Sequence, residues 1–433
     1  MKYELRPYQK EASDAAVRFF QSKEKKNSII VVPTGGGKSI ILADIARQLD
    51  GNVLVLQPSK EILEQNFSKL LSYGVTDCAI YSASLKSKDI DRITFATIGS
   101  IINHKEEFDK FKAIIVDECH VINATGGMYK DFLTHVKRKV LGFTATPYRL
   151  YTQQGIMANG KFLPNGSYKE SDYFKNDYKP KPGVILTNKC IEKFLTRTRP
   201  RMFNDVIYQV SIQELLSNGF LARLTYFSQL KLVDTSRVKI NSTGRDYDEQ
   251  SLSDEFKRCN LTERLAEIVN RLLHPKTGIP RKGILVFTKF VEESISLCKA
   301  IPNSAYLTGE TKKKDREKII GDFKSGKIKV LANVGILTTG FDYPELDTIV
   351  LARPTMSLSL FYQMVGRIIR PYPGKKGWVV DLCGNVERFG EVENFHLVEN
   401  KPGEYAYMGY VQGQWKYLTN AYYQLKFYFN EYG

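Results

Sequence analysis

The sequence predicts an α/β protein with two tandem domains, each built on a doubly wound parallel sheet. Two series of short β-branched runs alternate with helical patterns, one over residues 28–145 and one over residues 283–382. Strands separated by helices form right-handed crossover units and therefore parallel sheets. A chain of 433 residues is also long enough for two or three domains with separate cores.

The elements follow in order along the chain. The predicted strands lie at residues 53–56, 93–96, 113–116 and 140–143 in the first series, and at 284–287, 305–307, 329–332, 348–351 and 378–381 in the second. An amphipathic helix over residues 251–273 leads into the second series. The predicted domains are 1–150, an insertion at 151–206, 207–385, and an aromatic docking segment at 386–433.

The segment PTGGGKS, at residues 33–39, lies between an apolar strand and an apolar helix. Glycines let the backbone approach a polyphosphate, and N–H groups at a helix N-terminus favour negative charge. Lys38 adds a positive charge, and Ser39 adds a hydroxyl for Mg²⁺. The alternative is a turn without function. The residues predicted to hold the phosphates are Thr34, Gly35, Gly36, Gly37, Lys38 and Ser39.

Two adjacent acids, Asp117 and Glu118, follow the apolar run at residues 113–116. A buried parallel strand that ends in carboxylates is the expected holder of a catalytic metal ion. The alternative is a solvated acidic turn. The order of the two segments favours a nucleotide site with Asp117 and Ser39 as metal ligands.

The composition is that of a globular protein with a polyanionic partner. The net charge is +16, with 42% hydrophobic and 25% charged residues. Lysine and arginine gain affinity for nucleic acid by releasing counterions from phosphates. No apolar run approaches the roughly 20 residues that cross a bilayer, and the N-terminus does not read as a signal peptide. We therefore expect a cytoplasmic protein.

The six cysteines are scattered, without a CxxC pair. This pattern favours free thiols over a zinc site or a disulfide framework. The segment at residues 151–205 is rich in basic and aromatic residues. It is equally consistent with stacking on single-stranded nucleic acid and with packing on its own domain.

Taken together, these motifs resemble those of superfamily two helicases of the DExH type, and most closely the RadD-like DNA repair helicases. A looser resemblance is to phage branch-migration helicases. The matching segments run from residue 5 to about residue 385. The resemblance implies two RecA-like domains, with ATP and Mg²⁺ as cofactors. Asp117-Glu118-Cys119-His120 is the DExH box.

The resemblance also implies roles for individual residues. Arg6 and Gln9 read adenine, Asp117 holds Mg²⁺, Glu118 polarises the attacking water, and His120 links the site to neighbouring polar groups. Thr144-Ala145-Thr146 resembles the segment that ties hydrolysis to domain movement, and the alternative is that its hydroxyls cap the next helix. The residues implied to contact the nucleic acid backbone are Pro58, Ser59, Thr97, Ser100, Thr288, Thr338 and Thr339.

In the second domain, Gly340 and Asp342 are implied to contact nucleotide. Gln363, Arg367 and Arg370 belong to the motif QMVGRIIR. The resemblance implies that the two arginines neutralise charge on the γ-phosphoryl group across a closed cleft.

The expected function is therefore that of an ATP-dependent DNA helicase or translocase acting on branched, forked or single-stranded DNA in replication, recombination or repair. Its expected partners are DNA and proteins of those processes. DNA is favoured because the chain has DECH, TAT and Gln363 where DEAD-box RNA helicases usually have DEAD, SAT and histidine. The alternatives are an ATP-switched DNA-binding or annealing protein that does not unwind, and an RNA helicase.

Overall fold

The computed structural model describes residues 4–338, 341–402 and 404–420. These residues form two compact units. The first contains the chain up to Arg149, together with Phe194–Leu221 and His396–Ala406. The second contains Leu150–Lys193, Ala222–Phe395 and the described residues from Tyr407 onward.

The secondary structure alternates between strands and helices in both units. The strands are β1 (Ser28–Val31), β2 (Val53–Gln57), β3 (Cys78–Ser82), β4 (Ser87–Lys88), β5 (Ile93–Thr97), β6 (Ala113–Val116), β7 (Val140–Thr144), β8 (Tyr148–Ala158), β9 (Lys161–Pro164), β10 (Ile185–Phe194), β11 (Asp205–Gln209), β12 (Leu224–Phe227), β13 (Ile284–Thr288), β14 (Ser304–Leu307), β15 (Val330–Asn333), β16 (Thr348–Ala352), β17 (Gly377–Asp381), β18 (His396–Lys401), β19 (Glu404–Val411) and β20 (Gln414–Tyr417).

The α-helices are α1 (Pro7–Gln21), α2 (Lys38–Gln48), α3 (Lys60–Leu71), α4 (Ile98–Ile101), α5 (Met128–Val136), α6 (Glu170–Tyr173), α7 (Ile212–Ser217), α8 (Glu249–Arg258), α9 (Leu261–Leu273), α10 (Val291–Ala300), α11 (Lys313–Lys324), α12 (Leu358–Val365) and α13 (Asn385–Phe389). Short 3₁₀ helices cover Ala83–Leu85, Ile102–Phe108, Cys119–Val121, Leu195–Arg197, Thr235–Arg237 and Val392–Asn394. Among the described residues, none of the helices combines the length and the apolar character needed to cross a bilayer.

The first unit contains an eight-stranded sheet in the order β11-β1-β7-β6-β2-β5-β3-β4. Its strands pair in parallel except for β3 with β4, which is antiparallel. Every residue of β1, β2, β6 and β7 is buried. A strand covered on both faces is continuously apolar, which is why the sequence has these short β-branched runs. The carboxyl ends of the parallel strands meet at one edge of the sheet, where the candidate site lies.

The second unit contains a six-stranded sheet in the order β12-β17-β16-β13-β15-β14, and all of its pairs are parallel. The strands β13, β15 and β16 are buried along their whole length. The predicted α/β class with two parallel sheets is therefore confirmed, and all nine predicted strands are present.

The limits of the units differ from the predicted domain limits. The predicted boundary at residues 206 and 207 lies inside β11, whose parallel pairing with β1 joins it to the first sheet. Residues 194–221 accordingly belong to the first unit, while most of the predicted insertion, Leu150–Lys193, belongs to the second. Which function each segment serves stays a prediction.

The predicted helix over residues 251–273 is two helices, α8 and α9. Between them Asn260 adopts a left-handed conformation with φ 48°. Asparagine tolerates this region better than most residues, and the reversal ends α8 before α9 begins. Leu265 and Val269 of α9 are fully buried in the core of the second unit.

The insertion forms a three-stranded sheet in the order β10-β8-β9, in which β8 and β9 are antiparallel. It is bonded to other parts of the second unit. Asn188 donates from Nδ2 to the carbonyl of Ser242 at 3.2 Å, and Thr152 donates from Oγ1 to the carbonyl of Thr243 at 2.8 Å.

The predicted docking segment, 386–433, lies partly outside the described residues. In the described part it contains most of α13 and the antiparallel pair of β19 and β20. Phe389 of α13 stacks against Phe361 of α12, with ring centroids 5.3 Å apart. The docking role of the segment stays a prediction.

Glu192, on β10, has no accessible surface. Burial raises the pKa of its carboxyl group to about 8, although the backbone N–H groups of Leu358 and Ser359 bond to it. A folded-state pKa above the usual value means that the unfolded chain releases this proton at a lower pH. Wild-type stability therefore falls as the pH rises between the two pKa values.

We expect Glu192→Gln to stabilise the protein relative to the wild type, and increasingly so from about pH 5 to about pH 8, because glutamine has no proton to release. The limiting change in the free energy of unfolding is a few kcal/mol, at about 1.4 kcal/mol per pKa unit. Guanidinium unfolding at several pH values measures it. Glu170→Gln, at an exposed position, is the control. A difference that does not vary with pH would contradict the prediction.

Candidate nucleotide site

The predicted phosphate loop, residues 33–39, connects β1 to α2. Lys38 is the first residue of α2, and Gly37 precedes it as the N-cap with a left-handed φ of 78°. Gly35 is also left-handed, with φ 85°. The backbone therefore turns into the helix through conformations that glycine adopts without strain. The free N–H groups at the start of α2 give this end of the helix partial positive charge.

Steric contacts also require glycine at positions 36 and 37. A Cβ at Gly36 would lie 2.7 Å from Cγ1 of Val32, and one at Gly37 would lie 2.4 Å from Nε2 of Gln9. The loop thus follows a path against neighbouring groups that a side chain would prevent. Gly36 and Gly37 permit this close path.

The predicted DExH box, residues 117–120, follows β6, and its acids lie at the same edge of the sheet as the predicted phosphate loop. Lys38 forms an ion pair with Oε1 of Glu118, and both side chains are largely buried. Glu118 has a left-handed φ of 48°. This contact joins two segments 80 residues apart in the sequence.

Burial and charge act in opposite directions at this pair. Burial disfavours the charge on Glu118, but the attraction of Lys38 and the bond to His120 outweigh it and lower the pKa of Glu118. Burial likewise opposes the charge on Lys38, while Glu118 and Asp117 raise the pKa of Lys38. Both groups are therefore charged near neutral pH.

Asp117 is held in a different environment. Its Oδ2 accepts a hydrogen bond from Nδ2 of Asn66 at 3.0 Å, and its Oδ1 accepts one from the backbone N–H of Glu118 at 2.9 Å. Burial is the main cause that raises the pKa of Asp117 to about 6. A buried carboxylate that resists ionisation is stabilised by a cation at the same place. The carboxylate of Asp117 and the hydroxyl of Ser39 are oxygen donors of the kind that Mg²⁺ prefers, so these residues fit the ion.

His120 connects the acids to β7. Its Nδ1 lies 2.9 Å from Oγ1 of Thr144 and 3.4 Å from Oε2 of Glu118. Oγ1 of Thr144 in turn accepts a hydrogen bond from the backbone N–H of Thr146 at 2.9 Å. The polar groups of the DExH box and of the Thr144-Ala145-Thr146 segment therefore form one network.

Cys119, between the acid pair and His120, has no exposed surface. Burial is the main cause that raises the pKa of its thiol well above the usual value. Gly142 on β7 gives it room, because a Cβ there would lie 2.6 Å from the sulfur.

The predicted adenine-reading segment begins α1 and contacts the phosphate loop. Nε2 of Gln9 lies 3.4 Å from the carbonyl oxygen of Gly36, and Oε1 of Gln9 accepts from the backbone N–H of Arg6 at 3.0 Å. Tyr8 donates from its hydroxyl to the same Gly36 carbonyl at 2.9 Å. The guanidinium of Arg6 lies 4.1 Å from the ring centroid of Phe220. The structure thus places Tyr8 and Gln9 against the loop and Arg6 against Phe220. The role of Arg6 and Gln9 toward adenine stays a prediction.

The predicted backbone-binding turns of the first unit lie at the same sheet edge. Pro58 and Ser59 follow β2, and Ser59 caps α3, with its Oγ accepting from the backbone N–H of Ile62 at 3.4 Å. Thr97 ends β5, and its Oγ1 lies 2.8 Å from Oγ of Ser100. Because residues 57 and 97 are paired in register, the two turns are neighbours. Contact with nucleic acid stays a prediction for all four residues.

In the second unit, Thr288 ends β13 and is fully buried, with its Oγ1 2.7 Å from Oγ of Ser294. Thr338 is half-buried. Thr339 and Gly340 lie outside the described residues. Their predicted contacts with nucleic acid or nucleotide stay predictions.

The arginine motif lies on and after α12. Arg367 donates from Nη1 to the carbonyl of Phe341 at 2.8 Å and from Nε to the carbonyl of Gln363 at 3.2 Å. Arg370 forms an ion pair with Asp342. The structure therefore brings Gln363, Arg367, Arg370 and Asp342 together within the second unit. Their action on the nucleotide stays a prediction.

Three residues of the first unit are not identified by the sequence patterns. Asn66 binds both Asp117 and Oε1 of Gln57, the latter at 3.1 Å. A polar residue on the buried face of α3 is a signal for it. Tyr8 lies within the RPYQ segment. Phe220 is more than 200 residues from Arg6, and no local pattern indicates their contact.

Comparisons with known proteins agree with this geometry. A family model described as the res subunit of type III restriction enzymes matches residues 2–149, and one described as the helicase conserved C-terminal domain matches residues 264–372. The matches cover parts of both predicted parallel-sheet domains, and with relatives named as ATP-dependent helicases they support an ATP-hydrolysing helicase.

The helicase is similar to several named proteins. It is 27% identical to a 51.5 kDa protein of a Lactococcus phage, over 90% of this chain and 70% of the relative. It is 27% identical to a Saccharomyces cerevisiae protein named as the ATP-dependent helicase IRC3, over 88% of this chain and 51% of the relative. It is 25% identical to the DNA 3'-5' translocase XPB2 of Sulfurisphaera tokodaii, over 85% of this chain and 79% of the relative. The chain thus spans about half the length of its yeast relative.

A solved structure has the same fold. The ATP-dependent Type ISP restriction-modification enzyme LlaBIII bound to DNA aligns with a TM-score of 0.59 and 19% identity, over 89% of the helicase and 28% of the other chain. The match supports the two tandem RecA-like domains that the sequence predicted.

We expect Gly37→Ala to weaken ATP binding by at least about tenfold, because the new Cβ would displace Gln9 and strain a left-handed residue in the loop. Titration with a fluorescent ATP analogue measures the affinity. Gly74→Ala is the matched control, since Gly74 is also left-handed but has no atom within 4 Å of the position that a Cβ would occupy. Equal affinity in the two variants would show that the loop does not depend on this close packing.

Proposed function

We propose that this helicase is an ATP-dependent DNA helicase or translocase that acts on branched, forked or single-stranded DNA, with Mg²⁺ as its metal ion. The single observation that carries the proposal is the ion pair of Lys38 with Glu118 beside Asp117. It joins a phosphate-binding cation to the acids that hydrolysis requires. The names of the relatives, a DNA translocase and an ATP-dependent helicase, support the coupling to DNA.

The chemistry follows from the charges at the sheet edge. Bound Mg²⁺ would neutralise charge on the phosphates, with Ser39 and Asp117 as its protein ligands. Lys38 would exchange its contact with Glu118 for the β- and γ-phosphates. Glu118, kept ionised by its lowered pKa, would then accept a hydrogen bond from the attacking water and orient it.

The second unit would supply Arg367 and Arg370 to the γ-phosphoryl group. Their guanidinium groups would neutralise charge that develops in the transition state. Binding of ATP and its hydrolysis would then alternately strengthen and weaken the binding of a DNA strand, which is the cycle of a translocase.

The net charge of +16 supports a polyanion, such as DNA, as the polymer along which the protein moves. The turns at Ser59 and Thr97, side by side at the sheet edge, are where we propose that the DNA backbone binds. The resemblance to RadD-like proteins supports a role in repair or recombination.

We expect Lys38→Ala and Glu118→Gln each to lower DNA-stimulated ATP hydrolysis by at least about 100-fold, because one removes the phosphate cation and the other the acceptor that orients water. Release of phosphate in the presence of single-stranded DNA measures the rate. Glu64→Gln, an exposed carboxylate on α3, is the control. Unchanged rates in both site variants would refute the proposal.

Displacement of a labelled strand from a forked duplex separates a motor from an ATP-driven switch. We expect displacement that requires ATP hydrolysis, since a translocase moves the junction ahead of it. Hydrolysis without displacement or movement would support the switch instead.

Comparison of single-stranded DNA, branched DNA and RNA as stimulators of hydrolysis identifies the polymer, and we expect DNA to give the larger rate.

A further inference from the structure

Glu192 is a buried carboxyl group at the start of α12. It lies on β10, in the insertion, and has no exposed surface. Its Oε1 accepts a hydrogen bond from the backbone N–H of Leu358 at 2.8 Å, and its carboxyl group also bonds to the N–H of Ser359. Its backbone carbonyl accepts from the N–H of Asn420 at 2.6 Å.

The start of α12 is thus capped by two residues. Ser357, the N-cap, accepts with its Oγ from the N–H of Leu360 at 3.2 Å. The carboxyl group of Glu192 accepts hydrogen bonds from the backbone N–H groups of Leu358 and Ser359, the two residues before Leu360. The first N–H groups of a helix have no partner within the helix. Here they are satisfied by a local hydroxyl and by a carboxyl group 166 residues away in the sequence.

The cap by Glu192 costs free energy that a local cap does not. A buried carboxyl group resists ionisation, and among the described residues no cation lowers the pKa of Glu192. Its Oε2 has no hydrogen-bond partner within the described residues. A second serine or water would satisfy the same N–H groups at a lower cost. What Glu192 adds is a fixed connection between β10 and α12.

α12 has eight residues and leads directly into the arginine motif. The guanidinium of Arg367 contacts the carbonyl of Gln363, in the last turn of α12, and the carbonyl of Phe341. A helix of two turns moves as one body. A shift at its first residue is therefore transmitted to Gln363 and Arg367.

We propose that Glu192 is a positioning residue that sets the placement of the arginine motif through the start of α12. It links the insertion sheet to the residues that would meet the γ-phosphoryl group. The inference rests on the proposed function, because it assigns Glu192 a part in the same hydrolysis.

The test compares variants of the full chain in ATP hydrolysis stimulated by single-stranded DNA. Glu192→Leu, which has no acceptor, is expected to lower kcat by about tenfold or more and to change the KM for ATP by less than about threefold. A displacement of about 1 Å is enough for such a loss. Glu192→Gln keeps an acceptor oxygen and is expected to retain kcat. Glu170→Leu, at an exposed carboxylate of the insertion, is the control.

A double-mutant cycle separates positioning from general damage. If Glu192 acts through Arg367, Glu192→Leu has no further effect on kcat in an Arg367→Ala background. Independent losses that multiply would overturn the proposal, as would a normal kcat in Glu192→Leu. Hydrolysis absent from the wild type would instead defeat the proposed function.

A second variant covers the case in which Glu192→Leu does not fold. Ser359→Pro removes one N–H that Glu192 bonds while leaving the carboxyl group in place, and proline is tolerated in the first turn of a helix. Ser359→Ala keeps the N–H and is its matched control. We expect a lower kcat in the proline variant alone, and equal rates in the two variants would overturn the proposal.

Discussion

The ion pair between Lys38 and Glu118 determines the arrangement of the first unit's site. It requires β1 and β6 to end at the same sheet edge, which a parallel sheet provides. It also requires the phosphate loop to follow the path that Gly36 and Gly37 permit. Since both groups are largely buried, removing either partner would leave an uncompensated charge, which is strongly destabilising. The two charges therefore compensate each other at the sheet edge.

The two carboxylates of the DExH box are adjacent but differ in character. Lys38 faces Glu118 and lowers its pKa, whereas burial dominates at Asp117 and raises its pKa. Neighbouring acids whose environments separate their pKa values take different chemical roles. One is suited to hold a cation, and the other to accept a hydrogen bond from water. The bond to His120 adds to this difference by lowering the pKa of Glu118, whereas the bond from Asn66 lowers the pKa of Asp117 and reduces the difference.

Much of this was predictable because it is local. The strands were predicted from short buried runs, and the loop and acids from their places directly after strands. Contacts between distant parts of the chain were not predictable. The sequence does not indicate that residues 205–209 would pair with β1, so the predicted domain limit divided a strand. Nor does it indicate that Arg6 would meet Phe220, or that Glu192 would be buried at a helix start. These pairings depend on tertiary packing, which no local pattern encodes.

The burial of Cys119 affects how this protein responds to oxidants in its surroundings. Only the thiolate reacts with oxidants and electrophiles, and a high pKa together with complete burial denies both the reactive form and the access. Cys119 stands between the two acids and His120 in the sequence, and its thiol therefore does not make this segment sensitive to redox conditions. Oxidative stress that inactivates exposed-thiol enzymes would leave this part of the protein chemically intact.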